Sequence, residues 1–231
     1  GFRRSWVNFE DIPENVIKAT LIAEDENFYS HHGISLKGIL RSIYLNFKTK
    51  SLSYGGSTIT QQLVRNLFLT KEKTLLRKIN EIILALKLEK RYSKNEILTY
   101  YLNSIYYGEG NIGIRSAADY YFNKKLNDLT LSEAVILASI PKAPAFYAPV
   151  NRENIERLKI RRDYLLSRLK DKNWISDQEY RLALNEEIKI VQTKYTGIIA
   201  PHFVIEVIND LKRRFPKLNL EEINLKVITT L

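Results

Sequence analysis

The chain has neither cysteine nor methionine in its 231 residues. Without a thiol there is no disulfide framework, no thiolate metal site and no cysteine nucleophile. No stretch reaches the roughly 18 consecutive apolar residues of a membrane-spanning helix, and no signal peptide is visible. A first residue of Gly1 together with the absence of methionine is the mark expected of an excised segment, with any membrane anchor lying upstream. No repeat or low-complexity tract is found.

Positive charge is present in excess. The net charge is +10 and the pI near 9.5, against an ordinary globular background of 45% hydrophobic and 27% charged residues. A basic surface implies an anionic partner: nucleic acid, anionic lipid or a phosphate-bearing substrate. No base-reading motif accompanies the charge, so nucleic acid is not expected as a partner.

Periodicity is overwhelmingly helical. Val16, Ile17, Leu21 and Ile22 recur at helical spacing in a segment from Pro13 through Phe28. A second helix follows Ser35, with Ile39, Leu40, Ile43, Tyr44 and Phe47 on one side. Residues 74–90 form a long amphipathic segment. Ser93-x-x-Glu96, Thr130-x-x-Glu133 and Ser176-x-x-Glu179 are capping boxes that open three more helices, and 151–170 and 201–215 complete the set. Strand signals are confined to 4–9 and 224–230. The Gly-rich stretch 51–57 reads as a loop, and the Pro/Ala stretch 141–149 as the best internal boundary. The expected fold is mainly α, two-lobed and lysozyme-like, with minimal β at the termini and a helical tail.

Three clusters could carry chemistry. In Glu24-Asp25-Glu26-Asn27-Phe28-Tyr29-Ser30-His31-His32-Gly33, acids end an apolar helix. Burial of Glu24 behind Leu21-Ile22-Ala23 would raise its pKa and make it a better proton acceptor; a solvated acidic helix end is an equal alternative. The two histidines are a weak metal signal. In Gly55-Gly56-Ser57-Thr58-Ile59-Thr60-Gln61-Gln62, glycines allow close backbone approach, Ser57 and Thr58 cap a helix, and the paired amides could grip sugar hydroxyls. Arg77, Lys78 and Glu81 lie on a helix, where an ordinary i,i+4 ion pair is favoured over an ordered diphosphate site. The tyrosine pairs at 100–101, 106–107 and 120–121 read mostly as packing. Ser139-Ile140-Pro141-Lys142 imitates the Ser-x-x-Lys of penicillin-reactive enzymes, but lacks its partner motifs and is interrupted by proline.

Taken in order, these segments resemble the glycosyltransferase domain of class A bifunctional penicillin-binding proteins and its single-function relatives. E-D-x-x-F-x-x-H-x-G is matched by residues 24–33. G-x-S-T-x-x-Q-Q is matched by Gly55, Ser57, Thr58, Gln61 and Gln62, and R-K-x-x-E by Arg77, Lys78 and Glu81. K-x-x-I-L-x-x-Y-L-N is matched by Lys94, Ile97, Leu98, Tyr101, Leu102 and Asn103. The last, E-A-x-x-L-A-x-x-P-x-A-P, runs from Glu133 to Pro144 and absorbs the orphan Ser-x-x-Lys.

The resemblance implies a catalytic domain over 1–223, with motifs at 24–144 and a helical tail at 145–223. Residues 224–231 would begin a strand toward a transpeptidase domain. It implies processive, inverting polymerisation of lipid II into β-1,4-linked glycan with release of undecaprenyl diphosphate. Glu24 would be the base toward the acceptor 4-hydroxyl and Glu81 the second acid. Asp25, Ser57, Thr58, Gln61, Gln62, Arg77 and Lys78 would bind substrate, supported by Phe28, His31, Gly33 and Asn103. No cofactor is required, although a divalent cation (Mg or Mn) at Glu81 is compatible. The implied location is the outer face of the bacterial cytoplasmic membrane, among other cell-wall synthesis proteins. Leu67, Phe68 and Leu69, shouldered by Arg65 and Lys71, are expected to enter the anionic membrane interface.

Overall fold

A computed structural model describes residues 3–49, 56–69, 74–192 and 201–215. The chain falls into two compact units, residues 1–193 and 194–231. Helices of the expected tail occur in both.

In the first unit, β1 (Arg3–Arg4) is followed by α1 (Glu14–Glu24), α2 (Leu36–Thr49), α3 (Ile59–Phe68), α4 (Leu75–Arg91) and α5 (Lys94–Ser104). Then come β2 (Asn111–Ile112), α6 (Ile114–Phe122), α7 (Leu131–Ser139), α8 (Pro144–Tyr147), α9 (Arg152–Asp171) and α10 (Asp177–Asn185). The second unit contributes α11 (Pro201–Arg214).

The organising element is α7. Every residue from Ser132 to Ser139 is buried, as befits a helix that is apolar around its whole circumference. It packs against α1 and α9, and α1 also meets α9. The stretch 141–149 therefore does not divide the unit, contrary to expectation. Its α8 lies on α9, and the Asn154 side chain donates to the Ala148 carbonyl at 2.8 Å. Buried Arg162 of α9 donates to the Leu184 and Glu186 carbonyls and ties down the segment after α10.

All three expected capping boxes form, at Ser93, Thr130 and Ser176. The first helix is shorter than expected and stops at Glu24. Asp25 leaves the helical conformation, and Phe28–Ser30 make a separate single turn.

The strand expected at 4–9 is reduced to Arg3–Arg4. It pairs in parallel with Asn111–Ile112, a strand that periodicity did not indicate. Beyond it a side chain replaces the ladder. Asn103 accepts from the Val7 amide at 2.8 Å and donates to the Val7 carbonyl at 2.9 Å, satisfying both backbone groups where a strand partner would stand. The strand expected at 224–230 and the greater part of the loop at 51–57 lie outside the described residues.

Candidate active site

Glu24 ends α1, where the chain must turn sharply. Asp25 makes that turn and spends its buried carboxylate on it. One oxygen accepts from the Ile59 amide at 3.0 Å and from His31 Nε2 at 2.9 Å. Asp25 thus serves an orphan amide at the start of α3 and fixes that helix against the end of α1.

Thr58 caps α3 as expected, accepting from the Gln61 amide, and Gln61 accepts from the Thr58 amide in return, closing a capping box that the sequence did not signal. The Thr58 hydroxyl also donates to the Gly33 carbonyl at 2.7 Å. Gly33 sits at φ +86, and a Cβ there would come within 3.1 Å of the Ala85 carbonyl oxygen on α4. Glycine is needed on both counts. Phe28 is fully buried beneath this junction, with the Lys94 ammonium 4.4 Å from its ring centre; Lys94 pairs in turn with Glu89.

Asp25, Thr58 and Gln61 are buried at this junction. Asp25 and Thr58 tie the start of α3 to the segment that follows α1, while the Gln61 carbonyl oxygen serves the α3 cap and its Nε2 is enclosed without a hydrogen-bond partner. Ser57 does not cap the helix as expected; its hydroxyl accepts from Lys78 Nζ at 2.9 Å. Asn103 clamps Val7.

What remains forms two groups. In the first, Gln62 Nε2 donates to Glu24 Oε2 at 2.9 Å, and the Tyr101 hydroxyl lies 3.3 Å from the Gln62 carbonyl oxygen. Glu24 Oε1 is enclosed and has no hydrogen-bond partner. Burial raises the Glu24 pKa, opposed by the Gln62 hydrogen bond and by the charges of Arg161, Lys142 and Arg65. Lys142 is pushed down from the usual lysine value by burial and by Arg161, and Arg161 is lowered by burial. Tyr101 and Tyr107, both buried, have their hydroxyl pKa values raised by burial and then by the Glu24 charge. In the second group, Glu81 is wholly buried on α4, one oxygen 2.9 Å from Arg77 Nη1 and the other paired with Lys78. Here the i,i+4 ion pair and a converging cationic cluster are both realised.

Sequence reasoning missed part of the first group. Arg65 was read only as a shoulder of an apolar tip, although its position three residues after Gln62 puts both on one side of α3. Lys142 entered only through the false Ser-x-x-Lys; Ser139 is in fact fully buried and donates to the Val135 carbonyl at 2.7 Å. Arg161 left no local signal, since its approach to Glu24 depends on how α9 packs. Tyr101 and Tyr107 read as packing, which they also provide.

At the apolar tip, Leu67 is 48% and Phe68 64% exposed, while Leu69 is partly buried. Leu75, Leu76, Ile79 and Ile83 on α4 are exposed as well. No helix among the described residues is long and apolar enough to cross a membrane.

The sequence pattern of the transglycosylase family matches residues 1–170. Penicillin-binding protein 1F of Bacillus subtilis is 46% identical over 176 residues, covering 76% of this chain and 24% of that protein. Penicillin-binding protein 1A of Haemophilus influenzae is 42% identical over 229 residues, covering 99% of this chain and 27% of that protein. A crystal structure of penicillin-binding protein 1A from Haemophilus influenzae superposes with a TM-score of 0.52 over 94% of this chain and 22% of the other, at 27% identity in that alignment. The chain spans about a quarter of the length of these relatives.

Proposed function

This chain belongs to the transglycosylase family of peptidoglycan glycosyltransferases, and we propose that it polymerises lipid II, with Glu24 as the base. The observation that carries the reading is the Glu24 carboxylate: enclosed, held at Oε2 by Gln62, and without a partner at Oε1. A carboxylate whose pKa is raised by burial is a better proton acceptor, and three neighbouring cations favour its ionised form.

The step is a single displacement. The acceptor sugar's 4-hydroxyl oxygen forms a bond to the anomeric carbon of the lipid-linked glycan as its proton passes to Glu24. The anomeric carbon–oxygen bond to the diphosphate breaks, and that electron pair leaves with undecaprenyl diphosphate. Inversion at carbon takes the α-linked donor to a β-1,4 product, and no enzyme nucleophile is needed. Arg77 and Lys78 are suited to the departing diphosphate, because bidentate Arg–phosphate contacts are among the stronger polar interactions. Glu81 holds the two cations in place, and Ser57 and Gln62 offer hydrogen bonds to sugar or phosphate oxygens.

Among the described residues no three His, Asp or Glu side chains converge on a possible ion position, and both Glu81 oxygens already face cations. A divalent ion would enter with the diphosphate.

The polyprenyl tail keeps such a substrate in the bilayer, and the proposed location is the outer face of the cytoplasmic membrane. Exposed Leu67 and Phe68 support interfacial contact there. Residues 1–223 are proposed as the catalytic domain.

The test is incubation of the chain with labelled lipid II in detergent, with products resolved by size. A ladder of polymers is expected, falling about 100- to 10,000-fold with Glu24→Gln. Release of fragments from preformed glycan, with no ladder, would overturn the reading in favour of a hydrolase or lytic enzyme.

A further inference from the structure

A buried hydroxyl must find an acceptor for its hydrogen, because leaving the donor unsatisfied costs more than a formed bond yields. Tyr101 is 1% exposed, and the hydrogen-bond partner the structure shows for its hydroxyl is the Gln62 carbonyl oxygen at 3.3 Å. The other end of that amide donates to Glu24 Oε2. The primary amide of Gln62 has two nearly isosteric ends, and only one orientation offers N–H to a carboxylate. We infer that Tyr101 is a positioning residue for the base: by donating to the Gln62 carbonyl it fixes which end of the amide faces Glu24, keeping Oε2 held and Oε1 free for the incoming proton.

The alternative orientation shows why the hydroxyl matters. With the amide reversed, its carbonyl would face Glu24 and favour the protonated carboxyl, and the Tyr101 hydrogen would face an N–H group. The hydroxyl therefore biases the site toward the ionised base without touching it. Polarisation of the amide along the chain from Tyr101 through Gln62 to Glu24 acts in the same direction. The other groups acting on Glu24 are Arg65 from α3, Tyr107 after α5, Lys142 after α7 and Arg161 of α9, with Asp25 its neighbour in sequence. The cations also favour ionisation, but none can orient the amide.

That Glu24 acts as base rests on the proposed function, whereas the orientation of the amide does not. The primary measurement is accordingly made without substrate. The chain is labelled with 13C at glutamate carboxyl carbons, the Glu24 resonance is assigned with Glu24→Gln, and its titration is followed in the unaltered chain and in Tyr101→Phe. The midpoint is expected to rise by about half a pH unit or more, as the loss of one such hydrogen bond implies.

The same comparison in a Gln62→Leu background should show no change from Tyr101→Phe. An unaltered midpoint in Tyr101→Phe, or a rise of equal size without Gln62, overturns the inference. In the polymerisation assay, Tyr101→Phe should lower kcat/KM about threefold on the acid side and recover at higher pH, where a general loss of structure would depress all pH values alike. An intact chain that makes no polymer refutes the proposed function and leaves the titration result standing.

Discussion

Gln62 Nε2 lies 2.9 Å from Glu24 Oε2, while Oε1 of the same carboxylate is enclosed without a partner. A group held in this way is maintained against folding stability. Burial raises its pKa above the ordinary 4.5. Such a group contributes stability that is fully present below its unfolded-state pKa and lost as pH rises through its folded pKa. Glu24→Gln removes that charge, so it should unfold at higher temperature than the unaltered chain at neutral pH. The gain should disappear below about pH 4.5, the ordinary value. Thermal unfolding across pH measures this; equal midpoints at neutral pH would contradict it.

The same shift sets the acid limb of activity. On the proposed function Glu24 must be ionised to act, so kcat/KM on lipid II should fall as pH decreases, with its half-point above 4.5, the ordinary carboxylate value. Arg161, Lys142 and Arg65 oppose the rise. Replacing Arg161 with Gln should therefore carry the half-point higher still. A pH–rate profile of the two proteins decides the matter.

Glu81 should behave in the opposite way. It is wholly buried and is the common counter-charge of Arg77 and Lys78. Removing one partner of a buried ionic cluster costs about 3–5 kcal/mol, and less where a partner reaches water. Lys78 has a side chain 39% exposed, so about 2 kcal/mol is expected for Glu81→Gln. Urea unfolding should show the loss, together with reduced polymerisation. Glu24→Gln should be inactive and at least as stable as the unaltered chain.

Asp25→Ala strips the acceptor from the buried Ile59 amide and from His31. An orphaned buried donor costs about 1–3 kcal/mol, which for a protein of this size is roughly 2–4 °C in Tm for each kcal/mol. The loss should exceed that of His31→Ala, since His31 accepts only the longer, part-buried bond from the Gly33 amide, whereas the Ile59 amide is buried. Differential scanning calorimetry on the two variants tests the order.

Leu67→Ser with Phe68→Ser removes two exposed apolar side chains. Sedimentation with vesicles containing anionic lipid should show weaker association for the double variant, with the unfolding temperature little changed. Unaltered partitioning would exclude this tip as a membrane contact.

Local chemistry was written into the chain wherever one segment suffices. The capping boxes at Ser93, Thr130 and Ser176 need only four consecutive residues, and each forms. The Arg77–Glu81 pair follows from helical spacing alone. The match of residues 24–33 and 55–62 to one family likewise pointed to Glu24 before any coordinates.

Tertiary structure decided what each side chain spends its atoms on. Thr58 and Asp25 share motifs with Gln62 and Ser57, yet they are spent on fastening the start of α3 to the segment after α1, because buried amides at a helix start must be satisfied. Asn103 replaces a strand partner for Val7, which is why the ladder expected over 4–9 stops at Arg4. Arg161 acts on Glu24 across 137 positions of sequence (161 − 24). Electrostatic influence depends on distance and burial in the folded chain, and neither has a local signature.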